Sequence, residues 1–582
     1  MNTNFRNTPW RWALICLMAA AGSACADSVV NSVHNLSASG PGTIKANSEK
    51  NACVFCHTVH RTTGDHPLWN HSLSGITNYV VYSSMTLKAV VGQPNGSSRL
   101  CLSCHDGTVA LGMVNSHTSP ISMANGVTTM PSGPSNLGTD LSGDHPISFV
   151  YDAALVAKDS NLNDPTTLNH KVKLDPSSQV QCASCHNAHD NQFGNFLVMD
   201  NTASALCVVC HVTPNWSGSA HAMSTKVLPA VLAQRIAQEN RSKKLTKKTV
   251  GANGCEICHA THFAGARERL MRFDAPEQNC LVCHNGSMPA KNVAADFQKP
   301  SVHPVTLNAK AHSPQEDPVN PSVRHVACAD CHNPHAAGTA AKSSARVGGA
   351  LLGVTGMNSS GAIIKAVSKE YELCYRCHAD SIARGQPRVN RQWSETNKRL
   401  QFSPGNQSFH PVQTLGKNPN VPSLITPWRT SSTVTCEDCH NSDQAASAGG
   451  SGASGPHGSI YSPLLERQLI LTDFTPENPA NYALCYKCHS RDSILGNQSF
   501  KYHSKHIVDD KTACTTCHDS HGVATNQRLI NFNVNYVSPV GANPIQYIPG
   551  GLNGPTCILK CHDYDHQPAG PSAQRLKLLK TR

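Results

Sequence analysis

Along most of this chain the apolar residues follow no period. Few windows sustain the 3.6-residue spacing of a half-buried helix or the alternation of a half-buried strand. Gly and Pro, 40 and 36 of the 582 residues, interrupt the stretches between. A short helix is predicted over residues 231–240, just after Pro229. Residues 348–361 and 445–459, rich in small residues, read as flexible insertions. The pattern predicts a mostly irregular, loop-rich fold with short α-helices and no sizeable β-sheet. Aromatic residues make up only 5% of the chain, so side-chain packing alone is a weak organiser for a length that would ordinarily imply about three or four domains.

One apolar run does stand out, residues 13–21, preceded by Arg6 and Arg11 and followed by GSACA. That is the layout of an export signal, and the run is too short to span a bilayer. Two cleavage points are open. Cutting after Ala26 matches the small-x-small pattern of Ala24, Cys25 and Ala26, whereas cutting after Ala24 would leave Cys25 as a lipid-bearing terminus, with Gly22 where such sites usually carry Leu. Either way the chain is expected to be exported, to the periplasm, the outer-membrane surface or the cell exterior.

The formal charge is +11, from 48 basic and 37 acidic residues. A basic balance raises nucleic acid as a partner, but the positive residues are scattered and form one cluster, RSKKLTKK at 241–248, better read as a solvated helix end. No nucleic-acid partner is expected.

The cysteines carry the chemistry. Of 26, all but Cys16 and Cys25 fall into one recurring motif. Eleven copies of C-x-x-C-H are formed by Cys53 and Cys56, Cys101 and Cys104, Cys182 and Cys185, Cys207 and Cys210, Cys255 and Cys258, Cys280 and Cys283, Cys328 and Cys331, Cys374 and Cys377, Cys436 and Cys439, Cys485 and Cys488, and Cys514 and Cys517. A twelfth, CILKCH, is stretched by one residue between Cys557 and Cys561. The motif is the attachment signature of c-type haem: two thiols add to the haem vinyl groups and the adjacent imidazole binds the iron. Structural zinc also uses C-x-x-C pairs, yet it does not require a histidine directly after each one. The expected cofactor is therefore twelve covalent haems c, with His57, His105, His186, His211, His259, His284, His332, His378, His440, His489, His518 and His562 as proximal ligands. Haem supplies the apolar surface the side chains lack, and its propionates balance the excess of Lys and Arg.

The motifs come in pairs. First cysteines stand 48, 25, 25, 46, 49 and 43 residues apart within pairs, and the steps from Cys182 to Cys255 and from Cys255 to Cys328 are both 73. This is an internal repeat of six two-haem units. The expected segments are the signal at 1–26 and haem pairs at 27–125, 126–215, 216–295, 296–395, 396–495 and 496–582.

The repeat also nominates the second iron ligands. One group lies three residues past the odd motifs: His60, His189, His262, His335 and His521. The fifth unit has Asp443 at that place, and His457 in SGPHGS is the natural substitute. A second group precedes the odd motifs: His34, His145, His221, His303 and His410, with both His503 and His506 in YHSKH of the last unit. Other histidines, among them His66, His71, His117 and His566, are not needed by this count; PLWNHSL around Trp69 could equally be a packing motif. No Met recurs in register with the repeat, so bis-histidine irons of low potential are expected.

With HNLSASGPGTIKA, CVFCHTVH, CLSCHDGTVALG and GDHPIS on the page, the chain resembles the multihaem c-type cytochromes with doubled C-x-x-C-H motifs that abound in metal-reducing, anaerobically respiring bacteria. The resemblance covers nearly the whole mature chain. It implies an elongated, mostly loop-built molecule with closely stacked bis-histidine haems, in which the histidine of C-x-x-C-H-x-x-H often serves a neighbouring haem. YHSKH also resembles the small tetrahaem cytochromes of sulfate reducers, where both histidines can ligate. Asp443 and CILKCH depart from the pattern.

The function expected is electron conduction, since an iron with two imidazoles has no open position. Alternatives are a multihaem reductase with one open haem, acting on nitrite, hydroxylamine or a sulfur oxyanion, and a filament subunit. Expected partners are other redox proteins of the periplasm or outer membrane, a porin conduit, extracellular metal oxides, or further copies of the chain. If haem does replace the core, the chain expressed without cytochrome c maturation will be unfolded; a cooperative thermal transition of the apo-protein would refute this.

Overall fold

The computed structural model describes residues 29–60, 68–239, 247–305, 317, 319, 326–343, 346–382, 384–550 and 554–566. The expected export signal at 1–26, with Cys16 and Cys25, His66 and the basic residues 241–246 lie outside these. Among the described residues no helix is long and apolar enough to cross a membrane.

Loops dominate, with short helices and little sheet, as the unpatterned sequence predicts. The longest helices are Gly96–His105, Ala230–Glu239 and Glu370–His378. The second of these falls where the sequence places one, after Pro229, and buries Leu232, Ile236 and Ala237. Apolar side chains gather in small separate clusters. Examples are Ala46, Val54, Phe55, Leu111 and Met123, or Met357, Tyr375, Ala379, Phe402 and Val412.

Strands are brief. β1 (Phe149–Val150) pairs β2 (Gln179–Val180), β3 (Ser301–Val302) pairs β7 (Gly458–Ser459), β4 (Gly356–Met357) pairs β5 (Ile363–Ile364), and β6 (Ser408–Phe409) pairs β8 (Gly522–Val523), all antiparallel. The largest sheet joins β9 (Val537–Ser538), β10 (Gln546–Ile548), β11 (Thr556–Cys561) and β12 (Tyr564–His566). The two stretches read as flexible insertions are instead built into the fold. Residues 348–361 supply β4 with the buried Met357, and residues 445–459 supply β7 with the buried Ala445, Ala453 and Ser459. Small residues there permit close backbone approach rather than looseness.

The backbone contacts divide the chain into two units. The first comprises 1–213, 230–248 and 252–272, and the second 214–229, 249–251 and 273–582. The division runs through residues 216–295, the expected third haem-pair segment.

Each regular C-x-x-C-H is one turn of helix. The histidine N–H donates to the first cysteine's carbonyl, at 2.8 Å for His57 and His440, 2.9 Å for His186, His259, His332 and His518, and 3.0 Å for His211, His284 and His489. The chain then leaves in extended conformation: His186, His211, His332 and His518 have φ between −96° and −128°. After an odd motif a loop returns antiparallel and bridges the histidine, pairing His57 with Trp69, His186 with Leu197, His259 with Met271, His440 with Leu465 and His518 with Ile530. The residue before each bridge partner is left-handed: Leu68 (φ 68°), Phe196 (57°), Leu270 (50°), Leu464 (56°) and Leu529 (60°). Non-glycine residues take that conformation at about 1–2 kcal/mol each, so the same tight return is imposed five times against local preference.

Two glycines mark a closer approach. Gly458 and Gly522 follow His457 and His521, and a Cβ on either would lie 1.9 Å from a backbone oxygen, of Asp296 and Gln401 respectively. Replacing Gly522 by Ala is expected to push β8 off its neighbour and lower the stability of the haem-bearing protein by about 1–3 kcal/mol. Gly75→Ala, whose Cβ would meet nothing within 4 Å, is the control. Equal denaturation midpoints for the two variants would refute the close-packing account.

Candidate haem-ligand site

The imidazoles that the sequence singles out meet in pairs. Ten histidine–histidine contacts occur among the described residues, with ring centroids 5.9–6.4 Å apart. A direct ring contact would be shorter and would vary with the neighbours. A bond of about 2.0–2.1 Å from an imidazole nitrogen to a first-row metal, plus about 1.1 Å from nitrogen to ring centre, places two rings on opposite sides of one ion about 6.3 Å apart. The observed band fits one iron between each pair.

The odd motifs follow one rule. His57 faces His189 (5.9 Å), His186 faces His262 (6.3 Å), His332 faces His457 (6.0 Å) and His440 faces His521 (6.3 Å). In each case the partner comes from the next odd motif along the chain, or for His457 from its substitute. The even motifs look upstream: His105 faces His34 (6.1 Å), His211 faces His145 (6.2 Å), His284 faces His221 (6.4 Å) and His378 faces His303 (6.3 Å). Near the C-terminus His518 faces His503 at 6.4 Å. Burial, with His410 beside it, pushes His489 down to about 4. His259 sits in the first unit and His335 in the second.

Two expected ligands are placed otherwise. His60 is exposed and has no ring partner among the described residues. The reason lies in the register. A histidine of its class serves the preceding odd motif, and no C-x-x-C-H stands before Cys53 in this sequence. His562 faces no imidazole either; its Nε2 lies 2.7 Å from Asp473 Oδ2. The ring facing His506, at 6.0 Å and 32°, is His566, a residue the histidine count left over. Its cross-strand register, which sequence spacing did not disclose, puts it there. The stretched motif is a strand and not a helical turn, which is why His562 is not delivered as the other proximal histidines are.

Hydrogen bonds fix which nitrogen is free. A backbone carbonyl can only accept, so an imidazole whose Nδ1 meets one carries its proton there and offers Nε2 as a lone pair. Among proximal residues, His105 donates to Ser135 (2.7 Å), His186 to Asn195 (2.8 Å), His259 to Arg269 (2.8 Å), His332 to Ala350 (3.0 Å), His440 to Pro463 (3.1 Å) and His518 to Arg528 (3.0 Å). The strained returns described above thus have a use. They aim a carbonyl at the ring, the outer support that orients a metal-bound histidine and raises its basicity.

The upstream histidines are held to the same purpose. His34 Nδ1 donates to Ala188, His221 to Pro334, His303 to Pro456 and His410 to Ser520, at 3.2, 3.1, 2.7 and 2.5 Å. Each acceptor directly precedes His189, His335, His457 or His521. The β3–β7 and β6–β8 ladders make the last two of these junctions, with His410 N–H donating to the His521 carbonyl at 3.0 Å. His262 differs, since its Nδ1 lies 3.0 Å from the buried Asp144 carboxylate. Burial keeps five of the paired rings neutral, as ligation requires. It holds His145, His457, His503 and His518 near 4 and His521 well below the ordinary imidazole range.

The cysteines place the motifs in order. The first thiol of an even motif hydrogen-bonds the first thiol of the following odd motif, joining Cys101 to Cys182, Cys207 to Cys255, Cys280 to Cys328, Cys374 to Cys436 and Cys485 to Cys514. In the haem-bearing protein each such sulfur is a thioether, so the contact matters and the thiol titration does not. Ser98 and Ser204 tie two of these junctions by accepting from the Cys182 and Cys255 N–H, at 3.0 and 2.7 Å. Neighbouring motifs in sequence are therefore neighbours in space within each unit.

Two other described histidines, His71 and His117, have ordinary partners. His71 is fully buried, with Nδ1 3.0 Å from its neighbour's carbonyl at Ser72 and Nε2 3.7 Å from Cys104 Sγ, and His117 pairs with Glu49 at 3.6 Å. Asp443, which breaks the histidine pattern, binds Lys299 at 2.8 Å. Among the described residues no three His, Cys, Asp or Glu side chains converge as a metal cluster, whereas a closed zinc site takes four ligands. The donor sets fit covalent c-type haem.

A family model described as the doubled CXXCH motif matches residues 175–214, which hold the third and fourth motifs. None of the curated proteins matches the chain.

The ring planes separate eight of the ten pairs into two kinds, while His503–His518 at 49° and His506–His566 at 32° lie between. Odd-motif pairs are near parallel, at 15°, 37°, 19° and 20°. Even-motif pairs are steep, at 70°, 79°, 89° and 55°. Crossed axial imidazoles leave the two iron orbitals that overlap them nearly degenerate, while parallel ones split them. Electron paramagnetic resonance of the oxidised protein is expected to show two low-spin classes of similar weight, one rhombic and one strongly anisotropic. A single rhombic class would show that the plane angles are not set as described.

Proposed function

We propose, for a chain that belongs with the multihaem c-type cytochromes of the doubled CXXCH kind, the role of a dodecahaem electron conduit working at low potential. The observation that carries this reading is the narrow 5.9–6.4 Å band of ten histidine pairs. Two imidazoles per iron leave no position for a substrate. Haem, when bound, supplies a one-electron ferric/ferrous couple.

The chain's own residues do the rest. Cysteine pairs anchor the groups in sequence order, and the contacts between first cysteines hold successive sites edge to edge. Carbonyls on Nδ1 keep ligands such as His105, His186, His440 and His303 electron-rich, which favours the ferric state and a low potential. Asp144 strengthens that effect at the His186–His262 pair, because a buried carboxylate is a stronger acceptor than a carbonyl. The export-type N-terminus supports a place in the periplasm, at the outer membrane or outside the cell, with other redox proteins as donors and acceptors.

A pyridine haemochrome count with electron paramagnetic resonance tests the proposal. Twelve haems, all low-spin, are expected, and the native reduced protein should not bind carbon monoxide. A high-spin fraction near one-twelfth of the haem, or carbon monoxide binding without denaturation, would overturn the conduit and favour a reductase with one open iron.

A further inference from the structure

The C-terminal sheet carries a ligand arrangement unlike the others. In the regular motifs a helical turn brings the histidine after the second cysteine under the ring edge. Here Cys557 and Cys561 lie on β11, where alternate residues share a face, so both thiols point the same way as Leu559 between them. β12 returns through a two-residue turn made by His562 and Asp563, both left-handed at φ 45° and 61°. Its register sets His566 directly opposite Leu559. Directly opposed residues of an antiparallel pair share a face, so His566 joins the two cysteines on one side of the sheet.

His506 comes to that side from the segment Lys505–Asp509, its Nδ1 donating to the Tyr502 carbonyl at 2.8 Å. The two rings stand 6.0 Å apart, inside the band of the other nine pairs. His562 is oriented the opposite way. Its Nε2, the nitrogen every carbonyl-held ligand keeps for iron, lies 2.7 Å from Asp473 Oδ2 and must carry the proton. Asp473 is itself immobile: its side chain is fully buried, and Oδ1 accepts from the Ala513 N–H at 2.8 Å and the Thr516 hydroxyl at 2.5 Å. Phe474 packs on the His562 ring at 4.5 Å.

We infer that the twelfth haem iron is bound between His506 and His566, and that His562, although adjacent to Cys561, is a structural residue locked to Asp473. The inference rests on the haem reading above. The sulfur attachment and the iron ligand of this site then come from different strands of one hairpin.

The test uses the full haem-bearing chain and the variants His566→Gln and His562→Gln, each assayed by haem count and ferric electron paramagnetic resonance. His566→Gln is expected to turn about one-twelfth of the haem high-spin, while His562→Gln stays wholly low-spin with the same haem count. If His566→Gln does not accumulate, His566→Met keeps six ligands and should give the far-red absorption of a thioether-bound ferric haem together with one couple raised in potential. A high-spin fraction in His562→Gln, an unaltered spectrum in both His566 variants, or a wild-type protein with no haem on Cys557 and Cys561 overturns the inference. Absence of covalent haem at every motif would instead overturn the functional reading on which it rests.

Discussion

The fold depends on imidazoles that are completed from elsewhere in the chain. An odd motif supplies two thiols and one histidine, and its second histidine arrives from the next odd motif, as His189 does for His57 and His262 does for His186. The first two motif pairs therefore do not close their own ring sets, whereas the last brings His503 to His518 and His566 to His506 from within 496–582. A short, glycine-broken segment has too little apolar surface to offset its conformational entropy, but a ligand bond to a neighbouring segment removes freedom from both at once.

Hydrogen bonding does the positioning that a hydrophobic core does elsewhere. The carbonyls that hold Nδ1 are presented by tight returns with left-handed residues such as Phe196, Leu270 and Leu529. Strain of that kind persists only where the surroundings over-determine it, and a ring pinned between a carbonyl and an iron is such a surrounding. Close backbone approaches at Gly458 and Gly522 do related work, since they bring His457 and His521 beside the upstream histidines His303 and His410. The same junction therefore places two of the paired rings side by side.

Alternation of ring planes gives this design a further consequence. Ligands that come from downstream meet their partners nearly parallel, and those from upstream meet them crossed. The upstream rings His34, His221, His303 and His410 are held through Nδ1 by backbone carbonyls, whereas His262 is held by the Asp144 carboxylate. Successive sites are thus chemically unequal although their ligand atoms are identical.

Much was legible without coordinates. C-x-x-C-H carries its own local geometry, because two intervening residues and a helical turn are enough to bring thiols and imidazole together, so attachment sites and proximal ligands could be read motif by motif. The repeat likewise picked out His34, His145, His303 and His457 from their spacing alone. What the spacing could not carry was direction. That a histidine such as His262 faces the preceding odd motif's His186, leaving His60 without a ring partner among the described residues, is decided by where the loops run. In CILKCH one added residue replaces a helical turn with a strand, and then cross-strand register, not adjacency, selects His566 over His562. The stretches at 348–361 and 445–459 looked loose for a similar reason, since composition records small side chains but not the backbone that packs against them. The sequence by itself determined which groups can hold haem, because that chemistry is local in the chain. The tertiary structure alone decided which two histidines share an iron, because that pairing joins residues up to about 130 positions apart, such as His57 and His189, whose meeting depends on the course of everything between them.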